Sequence, residues 1–132
     1  MGMFINDGGL LAVKMPGVDV QAGLEMYCGE WDLYVDILRS FAEDTPEVIE
    51  SLRHVSEESL PQYAIHVHGF KGACANICAE TMRQRALALE MKAKTGAFES
   101  VEELNPAFLD DAEILVQNIQ LGLSQLDAKK YN

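Results

Sequence analysis

The chain is poor in basic residues. It has 10 Lys and Arg residues against 21 Asp and Glu residues, a formal net charge of −11. Nucleic acids and anionic membranes are bound through clustered basic side chains, so neither class of partner is expected. Long apolar runs and a signal-peptide pattern are also lacking, so we expect no membrane insertion. The three cysteines are an odd number and cannot form a closed disulfide set, which favours the cytoplasm.

Apolar residues are plentiful by contrast. They make up 48% of the 132 residues, and charged residues make up 23%, a balance typical of one globular domain with a substantial core. Residues 1–17 contain four glycines and are expected to form a flexible N-terminal segment. The folded domain is expected to span residues 18–132.

Helical periodicity dominates the rest of the chain, and no convincing strand pattern occurs. Asp19 is a candidate N-cap for a short helix that ends near Cys28-Gly29. Four longer amphipathic helices follow, each with a stripe of mostly apolar residues in steps of three and four. The stripes are Trp31, Tyr34, Leu38, Phe41, Thr45, Val48, Leu52 and Val55; Tyr63, Val67, Phe70, Cys74 and Ile77; Ala79, Met82, Ala86, Leu89 and Ala93; and Phe108, Ala112, Leu115, Ile119, Leu123 and Leu126.

The ends of these helices are marked by capping signals. Pro46 interrupts the first stripe without breaking its register, which favours one long kinked helix, although two helices remain possible. Ser59-Leu60-Pro61-Gln62 predicts the start of the second, Thr95-Gly96 the end of the third, and Asn105-Pro106 the start of the last. We therefore predict an all-α fold, an antiparallel four-helix bundle with a short extra N-terminal helix.

One face of the second long helix is unlike a core face. Between Gln62 and Ala79 the only formally charged side chain is Lys71. His68 points roughly 140° away from the core stripe. Its outward neighbours are mostly small, namely Ala64, Gly69, Gly72 and Ala75. Glycine in a helix costs on the order of 1 kcal/mol relative to alanine, so something other than folding favours Gly69 and Gly72.

This pattern suits a histidine that meets another protein. Small neighbours leave the imidazole accessible, and the lack of charge suits the core of an interface. Lys71, one turn along, can offset the charge of an anion carried by His68. A histidine that accepts a phosphoryl group and hands it on would need these features.

The run His68-Gly69-Phe70-Lys71-Gly72-Ala73 resembles the motif of histidine-containing phosphotransfer (HPt) domains, and the likeness extends over roughly residues 16–128. The resemblance implies a phosphorelay carrier in two-component signalling, with His68 as the phosphorylated residue. It implies that Lys71 stabilises the phosphate and that Gly72 permits close docking. A polar residue of the neighbouring helix is expected to help, and the candidates are Arg83, Gln84, Glu90 and Lys94.

The same resemblance implies partners and excludes a resident cofactor. The partners would be a response-regulator receiver domain, which supplies the aspartate and Mg²⁺, and a hybrid sensor histidine kinase. The chain itself would be a phosphoryl carrier and not an enzyme.

The sequence also allows three other interpretations. A helical adaptor would dock receiver-like partners through the same face without phosphorylation. The chain could also be the phosphorylatable part of a chemotaxis-type kinase. A metal site built from His66, His68, Cys74 and Cys78 is disfavoured, because residues two apart on a helix diverge by roughly 160° and because Cys74 lies in the core stripe. His66 is assigned a structural place near the core edge.

Overall fold

A computed structural model describes residues 6–129, and every regular element in that range is helical. A 3₁₀ turn spans Leu10–Ala12 and is followed by five helices. These are α1 (Val20–Met26), α2 (Trp31–Arg53), α3 (Leu60–Ile77), α4 (Glu80–Lys94) and α5 (Phe98–Lys129). The predicted all-α class is confirmed for the described range. No helix in this range is both long and apolar enough to cross a membrane.

The four long helices enclose the core. Helix α2 packs against α3 and α5, and α4 packs against the same two helices. The aromatic side chain of Phe70 on α3 joins three of them, with ring centroids 6.1 Å from Phe41 on α2 and 5.6 Å from Phe108 on α5. All the residues of the predicted stripes in α3, α4 and α5 are buried. The period of the sequence therefore identified the inward faces of these helices.

Helix α2 runs without interruption through Pro46, which confirms the prediction of one long helix here. Thr45 and Ile49, on either side of the proline, are both buried. Tertiary packing supplies most of the stability of a protein helix, so contacts on both sides of Pro46 can hold the two halves together.

The predicted start of the last helix is wrong. Helix α5 begins at Phe98, and Pro106 lies inside it. Asn105 is not a cap but a buried side chain, which accepts a 2.7 Å hydrogen bond from the Tyr63 hydroxyl and donates one of 2.7 Å to the Leu52 carbonyl. The preceding turn is anchored by fully buried Val101. Pro106 leaves the carbonyl of Glu102 without its helical donor, and Glu102 is exposed to water.

The packed region begins before the expected boundary at residue 18. Leu10, Val13 and Met15 are all buried in the core. A Cβ at position 122 of α5 would lie 2.7 Å from the Met15 side chain, so Gly122 allows the N-terminal segment to approach closely. Residues 1–5 of the segment expected to be flexible, and residues 130–132 of the expected domain, lie outside the described residues.

Candidate functional site

His68 projects outward from α3. Its neighbours Val67 and Phe70 are buried in the core, and this fixes the rotation of the helix about its axis. The His68 side chain is 64% exposed, as the helical arithmetic predicted. The imidazole is therefore held by a well-packed helix and is still open to an incoming molecule.

A buried carboxylate on α4 organises the site. Glu90 is 3% exposed, and both of its oxygens are occupied. Oε2 lies 2.7 Å from His68 Nδ1 and 2.8 Å from Lys94 Nζ. Oε1 accepts a 2.7 Å bond from Lys71 Nζ. One acidic side chain thus joins the histidine to two ammonium groups.

This geometry separates the four α4 candidates by their position relative to His68. Glu90 and Lys94 lie at the imidazole, whereas Arg83 and Gln84 bond instead to Glu80 at the start of α4. Glu90 and Lys94 are one helical turn apart and face α3 together. The sequence contained both residues but could not say where α4 sits relative to α3.

The partners of Glu90 control its ionisation. Burial by itself raises the pKa of this carboxyl, but the hydrogen bonds from Lys71, Lys94 and His68 outweigh it and lower the pKa to about 2. Glu90 is consequently ionised at neutral pH. A buried acid that stays charged beside an exposed histidine is an unusual feature, and such features concentrate at functional sites.

The small residues around His68 fall into two groups. Gly69 and Gly72 are exposed, and a Cβ built at either position meets no heavy atom within 4 Å. Packing inside this chain therefore does not require glycine there. Ala75 is half-buried. Ala64, expected on the outward face, is buried because α4 packs along that side of α3. It lines a shallow depression of about 260 Å³, together with Ile65, His68, Glu90 and Lys94.

A second depression of about 380 Å³ lies between α2 and α3. His66 lines it beside the buried residues Phe41 and Phe70, near the core edge as expected, and is itself exposed. Ile65 lines both depressions and is 66% exposed, and the sequence analysis missed it. Ile65 lies three residues before His68, a spacing that puts both side chains on one helix face, and this spacing could have identified it from the sequence.

The four residues of the disfavoured metal site do not share one environment. Cys74 is fully buried, and its burial raises the pKa of the thiol to about 12. Both histidines are exposed. Across residues 6–129, no group of three or more His, Cys, Asp or Glu side chains is arranged to hold a metal ion.

A family model also matches the sequence. The model is that of the Hpt domain, and it covers residues 36–129, from the first turns of α2 to the end of α5. No curated protein and no solved structure matches the chain. The matched part contains His68, Lys71, Glu90 and Lys94. The chain therefore belongs to the Hpt domain family, whose members are phosphocarrier modules of two-component signalling that interact with receiver domains and kinases.

Proposed function

We propose that this chain is a phosphorelay carrier in which His68 accepts a phosphoryl group and passes it to an aspartate of a receiver domain. The donor would be a receiver-domain aspartate or a hybrid sensor histidine kinase. The observation that carries the proposal is the exposed imidazole whose Nδ1 is bonded to a buried carboxylate.

The hydrogen bond to Glu90 selects the reactive nitrogen. An ionised carboxylate can only accept a hydrogen bond, so Nδ1 must carry the proton. In a neutral imidazole the other nitrogen then holds a free lone pair. Nε2 of His68 is therefore the nucleophile, and Glu90 keeps the ring oriented with Nε2 directed away from α4.

Phosphoryl transfer from a receiver then needs no proton movement at the histidine. The Nε2 lone pair attacks phosphorus, the bond between phosphorus and the aspartyl oxygen breaks, and the electron pair of that bond leaves with the aspartate carboxylate. The ring becomes a cation that retains its Nδ1 proton, and the negative charge of Glu90 stabilises it. Lys71 offsets the charge of the phosphoryl group. Transfer onward is the reverse of this step on another aspartate.

The partner supplies what the carrier lacks. Phosphoryl transfer depends mainly on positioning and charge stabilisation, so Mg²⁺ and the acceptor aspartate on the receiver domain complete the chemistry. We infer docking over Gly69, Gly72 and Ala75, where small side chains admit a close approach. We also propose a cytoplasmic location. The four long helices are proposed to run antiparallel to one another, because the connections between them are short.

The experiment is phosphotransfer from a radiolabelled receiver domain to the wild-type chain and to two variants. His68→Gln should take up no label. His66→Gln, which replaces another exposed histidine two residues away, should be labelled like the wild type. The label should be acid-labile and alkali-stable, as expected for a phosphorus–nitrogen bond. Label that persists in His68→Gln would refute the assignment of His68.

A second candidate function is a helical adaptor that binds receiver-like partners without phosphorylation. The second depression, between α2 and α3, favours the adaptor. Its lining includes Phe41 and Ile65, and such a surface can bind a protein by itself. Unchanged partner binding and unchanged signalling output in His68→Gln would favour the adaptor over the carrier.

A further inference from the structure

We propose that Asp44 determines which receiver domains this chain accepts, by binding a Lys or Arg of the receiver in the second depression, between α2 and α3. This inference rests on the proposed function. It adds a chemical requirement on the partner, namely a basic side chain beside an apolar one at the surface that docks over His68.

The second depression adjoins the surface around His68. Gly69, the residue after His68, lines it. Ile65 lines both this depression and the one beside the imidazole. A receiver domain that docks over His68 and Gly69 would therefore also cover the space between α2 and α3.

The lining of the second depression is largely apolar and includes Ile37, Val48 and Ile65. Asp44 is the only formally charged residue among the described residues that line it. Its side chain is exposed, and it takes no part in the ion pairs that form within residues 6–129. The depression thus combines apolar surface with one carboxylate that has no cation.

The basic side chains of the two helices that form the depression are engaged elsewhere. Arg39 and Arg53 on α2 bond to acidic residues of α5. Lys71 on α3 bonds to Glu90 on α4. No Lys or Arg of either helix is therefore left to neutralise Asp44.

These observations define the occupant of the depression. Docking removes water from Asp44, and a desolvated carboxylate is costly unless a cation pairs with it. The apolar lining at the same time favours an apolar group beside that cation. A second copy of this chain does not fit, because its net charge of −11 would be repelled. A receiver domain that presents a basic side chain beside an apolar one meets both requirements.

The test measures transfer to the full chain from phosphorylated receiver domains encoded in the same genome, and uses the receiver that labels the wild type fastest. Asp44→Asn and Asp44→Lys are compared with Asp110→Asn and Asp110→Lys. Asp110 is the matched control, because it is an exposed aspartate of α5 that does not line the depression. Labelling by phosphoramidate, a small donor that requires no receiver domain, shows whether His68 remains reactive in each variant.

Asp44→Asn should lower the second-order rate constant of transfer roughly tenfold, and Asp44→Lys should lower it further, because the receiver cation loses its partner or meets a like charge. The Asp110 variants should match the wild type, and phosphoramidate should label all four variants alike. Changing one exposed Lys or Arg of the receiver to Glu should restore transfer to Asp44→Lys, which a merely structural role of Asp44 would not allow.

Equal rate constants in the Asp44 and Asp110 variants would overturn the role of Asp44 and leave the carrier function standing. Faster transfer to Asp44→Asn would also overturn it, because the depression would then receive apolar groups alone. No transfer from any receiver domain to His68 of the wild type would contradict the carrier function together with this inference.

Discussion

Glu90 is the residue on which the chemistry of the site depends. It is buried on α4, yet hydrogen bonds from three cationic or polar donors hold it in the ionised form. A buried charge without partners would be costly, and these partners make it tolerable. The same contacts fix the orientation of His68, so the electrostatics of one acid and the reactivity of one histidine are coupled.

Glu90→Gln should slow phosphotransfer to His68. A neutral amide cannot stabilise the cationic phosphorylated ring, and its NH₂ group can donate to Nδ1 and favour the unreactive tautomer. Losing the charge of this hydrogen bond should reduce the single-turnover rate by about tenfold, which corresponds to roughly 1.4 kcal/mol. Rapid-quench measurement with a phosphorylated receiver would give the rate.

Glu80→Gln is the control for this substitution. Glu80 is an exposed carboxylate on the same helix, bonded to Arg83 and Gln84 and remote from the imidazole pair. Its loss should leave the transfer rate unchanged. A rate in Glu90→Gln equal to that in Glu80→Gln would show that Glu90 does not position His68.

Helix α3 carries two different surfaces along its whole length. Its buried face is a regular stripe that includes Val67, Phe70 and Cys74. Its open face includes Gly69 and Gly72, where an added Cβ would meet no heavy atom within 4 Å among the described residues. The helix therefore gives up stability on one face, and a close approach by a partner is the physical reason that fits.

Substitutions at Gly72 should separate stability from docking. Gly72→Ala should raise the free energy of unfolding by about 0.5 to 1 kcal/mol, because alanine favours a helix and the space is open. Gly72→Gln should also fold normally, but its longer side chain should slow transfer from a receiver domain and not from phosphoramidate. Urea denaturation and transfer assays with the two donors measure these effects. Equal slowing with both donors would mean that residue 72 does not limit docking.

At the scale of the whole molecule, contacts from residues 19–34 hold the C-terminal end of α3 in place. The hydroxyl of Tyr27 bonds to the Asn76 carbonyl at 2.7 Å, and that of Tyr34 to the Ile77 carbonyl at 2.8 Å. The amide of Asp19 bonds to the Cys78 carbonyl at 3.0 Å. These donors satisfy carbonyls that a helix end leaves unpaired. Tyr27 and Asp19 precede the part matched by the family model, so this region still supports the helix that bears His68.

The free energy of unfolding should depend on pH partly through the ionisation of Glu90. Its folded pKa, about 2, lies below the usual 4.5, so its ionised form contributes stability at pH values above about 4.5. That contribution should be lost as the pH falls toward 2. The excess stability of the wild type over Glu90→Gln should therefore shrink over this range.

Urea denaturation of both proteins at pH 6, 4 and 3 would measure this difference. The other 20 acidic residues are common to both chains and cancel in the comparison. A difference that stays constant from pH 6 to pH 3 would contradict the lowered pKa of Glu90.

Local sequence patterns predicted correctly those features that depend on a single helix. The stripes of α3, α4 and α5 and the outward direction of His68 follow from a period of 3.6 residues, which tertiary packing did not change. The start of α5 could not be read in this way. The buried bonds of Asn105 to Tyr63 and Leu52 come from two other helices, and they outweighed a strong local start signal at Pro106.

The sequence by itself determined the helical class, the inward faces of the long helices and an exposed histidine followed three residues later by a lysine. Those features depend on residues within a few turns of one another. Only the tertiary structure decided that Glu90 bonds to both His68 and Lys94, whereas Arg83 and Gln84 bond to Glu80, and that Ala64 is covered. Contacts between α3 and α4 depend on how two helices cross and on their relative rotation, and no spacing within either helix specifies that.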